Sequence, residues 1–75
     1  MTTATEGRQA MTKAAQDSGW GHRTSDERGD VFDKSTVSIR VQWAGDSISG
    51  ATLFHGGMYE SHTREPATVR AWLKR

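Results

Sequence analysis

A chain of 75 residues, 33% of them hydrophobic, has material for one domain with a thin core. It contains no cysteine, which excludes a disulfide framework and a thiolate zinc site, and its ten Lys/Arg against nine Asp/Glu leave a formal charge of +1, where a dedicated nucleic-acid domain usually shows a larger or more localised positive excess. No apolar run is long enough to span a membrane, and Met1 to Glu6 lack the basic and apolar regions of a signal peptide, so the expectation is a soluble, cytoplasmic chain stabilised by packing and by possible homodimerisation.

Residues 1–6 are small and polar and read as a flexible N-terminus, leaving 7–75 as a single small α+β domain. From Gly7 to Ser18 the spacing predicts a helix, with Met11, Ala14, Ala15 and Ser18 on one face and Arg8, Lys13 and Gln16 towards solvent. That small apolar stripe suits either a sheet or a dimer interface. Gly19 fits the left-handed residue that ends a helix, and Trp20 then falls where a Schellman ending makes its apolar contact, back onto Ala15. Trp20 to Thr24 reads as a short first strand with Trp20 inward. Ser25 to Asp30 is a charged, turn-rich connection; Val31 and Phe32 reopen an apolar pattern that Asp33-Lys34-Ser35 interrupts.

Val37 to Trp43 is the clearest strand, with Val37, Ile39, Val41 and Trp43 facing one way and Ser38, Arg40 and Gln42 the other. A two-residue turn at Gly45-Asp46 pairs Ala44 with Ser47 and Trp43 with Ile48, and by extension Val41 with Gly50, Ile39 with Thr52 and Val37 with Phe54. In that register Leu53 lies on the open face. His55-Gly56-Gly57 ends the third strand, and Met58 to Arg64 reads as a loop. Pro66 opens a last helix whose Val69, Trp72 and Leu73 form an apolar stripe, with Arg70, Lys74 and Arg75 off it. The expected order is α-β-β-β-α, a three-stranded antiparallel sheet with both helices on one face. Trp72 is the expected anchor, and Trp72→Ala the change expected to unfold the domain.

Chemistry-bearing patterns are sparse. His22, His55 and His62 do not have the spacing of a metal site and read as surface loop residues. No Gly-x-Ser-x-Gly elbow is present, and neither Gly45-Asp46-Ser47 nor His55-Gly56-Gly57 has the context of a phosphate cradle, so no catalytic residue, metal or cofactor is expected. The element order is shared with double-stranded RNA-binding domains, yet the last helix starts Arg64-Glu65-Pro66 without a lysine cluster. Two surfaces remain. Arg40, Gln42 and Leu53 on the open sheet face, with Arg70 and Lys74 as a second patch, are the candidates for binding a protein. Arg40, Arg64, Arg70, Lys74 and Arg75 are the candidates for touching phosphates in the alternative, nucleic-acid reading. The edge of the third strand is a further place for a partner strand to pair.

Two stretches carry a resemblance: Ala14-Ala15 followed by Gly19-Trp20, a charged loop, Asp30-Val31-Phe32 and the Val-x-Ile-x-Val strand, and then Ala67-Thr68-Val69-Arg70-Ala71-Trp72-Leu73. Together they resemble small accessory proteins of phages that infect mycobacteria and other actinobacteria. The resemblance implies a non-structural phage protein in the bacterial host cytoplasm, binding a host or phage macromolecule, with a virion component as the other setting. Combined with the residues, the expectation is a non-enzymatic module that binds a host or phage protein, with nucleic acid as the alternative partner.

Overall fold

A computed structural model describes residues 7–45 and 47–74. The expected flexible N-terminus, Asp46 of the predicted turn and the candidate Arg75 lie outside the described residues. Helix α1 (Arg8–Asp17) precedes strands β1 (Gly21–Asp26), β2 (Gly29–Lys34), β3 (Val37–Ala44), β4 (Ser47–His55) and β5 (Met58–Thr63), and helix α2 (Pro66–Trp72) closes the chain. The five strands form one antiparallel sheet in the order β1-β2-β3-β4-β5. The expected three-stranded α-β-β-β-α arrangement is therefore corrected to α-β-β-β-β-β-α, within the same α+β class.

Each missed strand has a physical reason. In β2 the core face is carried by Asp30 and Phe32, and an aspartate in an inward position hides the alternation. In β5 the apolar pattern is weak because the strand is an edge; Met58 and Tyr59 are 74% and 65% exposed. The turn before it is nonetheless a strong signal. Gly56 and Gly57 both have positive φ, 63° and 83°, and His55 pairs with Met58, the geometry that a two-residue Gly-Gly hairpin supplies.

The end of α1 is as expected. Trp20 N–H donates to Ala15 O at 2.9 Å and Gly19 N–H to Gln16 O at 3.0 Å, with Gly19 at φ 90°, the paired bonds of a Schellman ending. Met11, Ala15 and Trp20 are buried in the same cluster as Phe32, Ile39, Val41 and Trp43. Met11 and Ala15 of the α1 stripe thus pack onto the sheet, while Ala14 is half-buried and Ser18 exposed. α2 reaches that cluster through Val69 and Leu73. Trp72 is half-buried against it, so the expected anchoring role passes to Trp43 and Trp20, 2% and 4% exposed. The Trp20 indole N–H also donates to Leu73 O at 2.9 Å, tying the exit of α1 to the end of α2.

The β3–β4 register starts as expected, Ala44 opposite Ser47 and Trp43 opposite Ile48, then slips by one residue. Gln42 faces Gly50, which leaves Ser49 as an extra residue, a β-bulge. Beyond it Val41 pairs with Ala51, Ile39 with Leu53, and Val37 with His55, in place of Gly50, Thr52 and Phe54. The slip exchanges the two faces of β4. Ala51 and Leu53 enter the core, each 1% exposed, while Gly50, Thr52 and Phe54 move to the open face. Burying Leu53 contributes roughly 2 kcal/mol, offset by the core burial that Phe54 would have had in the unbulged register.

One charge accompanies this apolar interior. Asp30, 2% exposed, accepts from Arg8 Nε at 2.7 Å and Nη2 at 3.1 Å, and from Trp43 Nε1 at 2.9 Å, and its Oδ1 lies 2.9 Å from His22 Nε2. Arg8, expected in solvent, and His22, expected on a loop, are therefore both drawn to a buried carboxylate.

Candidate functional site

The helices seal one face of the sheet and leave the other open. Cross-strand pairing lines up Arg23, Val31, Arg40, Thr52 and His62 in one row over all five strands of that face. The neighbouring row runs Asp33, Ser38, Phe54 and Tyr59. Arg40 and Gln42 are exposed, as their alternation on β3 predicts. Leu53, expected beside them, is in the core, and the bulge gives its place to the half-buried Phe54. The sequence does contain a signal for this exchange: Gly50 within an otherwise regular strand marks a site for a bulge.

Arg40 and Phe54 form a low divide between two shallow hollows. One, of about 390 Å³, is floored by Gly50 and lined by Gln42, Ser49, Thr52 and His62; the other, of about 360 Å³, reaches Arg23, Val31 and Ser38. Among the described residues neither is lined by a carboxylate. Asp33 bonds to Ser38 Oγ at 2.8 Å and to Arg23 Nε at 3.3 Å, whereas no carboxylate among the described residues pairs with Arg40. Val31, on this face, is only 7% exposed, so its neighbours cover it and it adds little apolar surface beside Arg40.

The remaining candidates are not gathered here. Arg64 lies between β5 and α2, Arg70 is half-buried on α2, and Lys74 is exposed just beyond it. α2 packs on the opposite side of the sheet from Arg40, so Arg40, Arg70 and Lys74 do not make one surface. The expected third-strand edge is interior, since β5 covers β4. The true edges, β1 and β5, each pair with their neighbour through a register shift, between Thr24 and Asp26 and at Glu60 opposite Leu53/Phe54. Such bulges discourage the addition of a further strand, which leaves the open face as the broad surface available.

Among the described residues no group of His, Asp or Glu is arranged to hold a metal ion, and no helix is long and apolar enough to cross a membrane. Comparison of the chain with protein-family models, with curated proteins and with solved structures returns no match.

Proposed function

We propose that this protein is a small non-enzymatic module that binds another protein through the open face of its sheet. The observation that carries the reading is the pairing of Arg40, which has no acidic partner among the described residues, with the half-buried Phe54 at the divide between two hollows. Arginine and aromatic side chains are enriched at the energetic centres of protein interfaces, where neighbouring contacts exclude water. The shallow, open form of both hollows favours a surface that docks over a substrate pocket that encloses. The resemblance to actinobacteriophage accessory proteins supplies the setting of the proposal, a host or phage protein as partner in the bacterial cytoplasm.

The test is affinity capture from actinobacterial lysate by wild type, Arg40→Glu and Phe54→Ser, followed by reconstitution with the purified partner. A partner bound directly by wild type and lost in both variants, with circular dichroism unchanged, supports the reading. Direct binding that survives both substitutions overturns it. In parallel, DNA and RNA oligonucleotides are titrated at increasing salt. Submicromolar binding that falls steeply with salt would replace the proposal by the nucleic-acid alternative.

A further inference from the structure

The hollow floored by Gly50 is a ring of donors around a missing side chain. Gly50 does not have a left-handed φ, so the backbone itself makes no demand for glycine there. A Cβ at this position would lie 3.2 Å from His62 Nε2 and 3.7 Å from His62 Cε1. The absent methyl group is what lets the imidazole lean over β4 while the hollow stays open, a use of strand glycine that offsets its cost in sheet stability. Arg40, Gln42, Ser49, Thr52 and His62 surround it, and each has a group able to donate a hydrogen bond.

Among the described residues the nearby acids lie outside the lining of this hollow, Asp26 and Glu27 belonging to a separate hollow that shares Gln42. Asp33 is held by Arg23 and Ser38, and Asp26 Oδ1 accepts from Arg28 N–H at 2.8 Å in the β1–β2 turn. Several donors and, among the described residues, no lining carboxylate make the hollow complementary to an anion. Of the two arginines on the divide and its flanks, Arg23 is tied to Asp33, leaving Arg40 as the fixed charge at the hollow. A single cation suits one isolated anionic group. A polynucleotide, charged at every residue, calls for a run of them.

We propose that this hollow seats a side-chain carboxylate from an acidic, extended segment of the partner protein. Arg40 takes the carboxylate with the planar, paired geometry that guanidinium offers, and Gln42, Thr52 and His62 complete its surroundings. Phe54, the wall shared with the second hollow, meets an apolar residue of the same segment. The inference rests on the protein-binding reading of the open face and gives it a chemical class of partner.

The experiment titrates isotope-labelled protein at low salt with capped hexaglutamate, with hexaglutamine and with decathymidylate, followed by NMR. Hexaglutamate is expected to shift the Gly50 and Thr52 amides and the Arg40 and His62 side chains, and hexaglutamine to leave them in place. Arg40→Gln should weaken hexaglutamate by about tenfold, the loss expected for a charge-assisted hydrogen bond. Gly50→Ala, which moves His62 and narrows the hollow, should weaken it several-fold with the remaining spectrum preserved. No shift at these four residues, or undiminished binding by Arg40→Gln, overturns the inference. A stronger response to decathymidylate overturns it too, by assigning the anion to a phosphodiester. The two readings fail separately: if Phe54→Ser abolishes capture of the protein partner while hexaglutamate gives no shifts, the docking face stands and the carboxylate does not.

Discussion

Asp30 occupies a position where an isolated carboxylate would cost several kcal/mol, and its four contacts explain why the fold keeps it. Arg8 brings α1 to β2, Trp43 ties β3 to the same atoms, and His22, stacked on Phe32 at 5.2 Å, closes the group from β1. Burial pushes the Asp30 carboxyl up, but hydrogen bonds and charge from Arg8 and His22 outweigh it and hold the group below the usual carboxylate range. The Arg8 guanidinium is in turn held above its ordinary value, chiefly by its hydrogen bond to Asp30. A carboxyl whose folded pKa is depressed binds its proton more readily in the unfolded chain. Its stabilisation is complete above about pH 4 and is lost as pH falls through the lower folded value. Asp30→Asn is thus expected to cost on the order of 3 kcal/mol at neutral pH, with the gap to wild type narrowing near about pH 3. Urea denaturation at both pH values measures this, and an unchanged gap would show that charge is not the source of the stabilisation.

At the scale of elements, turns are more decisive than strand composition. The β4–β5 hairpin depends on two residues in a conformation that costs other L-amino acids about 1–2 kcal/mol. Gly57→Ala is expected to lose about that much stability, whereas Gly56→Asn, which suits the same turn, should be close to neutral; denaturant midpoints distinguish the two, and equal losses would refute the assignment of the turn. Much of the fold was legible from such local features: the α1 ending at Gly19-Trp20, the start of the β3–β4 register at Trp43 and Ile48, and Pro66 opening α2. What escaped depended on distant partners. Asp30 reads as surface until Arg8, 22 residues earlier, is seen to meet it, and β5 reads as loop until β4 is present to pair with it. The candidate site was legible at Arg40 and Gln42, whose alternation on β3 is regular. It was misread at Leu53 because one extra residue, Ser49, reverses every assignment after it.

At the scale of the molecule, stability is unevenly shared. β2, β3 and β4 hold Phe32, Ile39, Val41, Trp43, Ala51 and Leu53, while α2 has seven residues and is held mainly through Val69, Leu73 and the Trp20–Leu73 bond. Amides of β3 are expected to exchange with solvent last and those of α2 well before them. Trp20→Phe, which removes the indole bond, should speed exchange in α2 more than in β3. Hydrogen exchange by NMR reads both, and simultaneous exchange of α2 and β3 would show one cooperative unit instead.

Every pair of neighbouring strands is joined by only two residues, so nearly all sheet contacts are local and the sheet can assemble by successive hairpins, fast by the standards of β structure. Closure differs, because Trp20 must find Leu73 across 53 positions of sequence. During translation, β1 to β5 therefore emerge before the segment that completes their cover. In that interval the apolar face is only partly sheltered, and neighbouring nascent chains threaten to add strand to strand. The irregular pairing at β1 and β5 leaves each edge a poorer template for an incoming strand while that cover is incomplete.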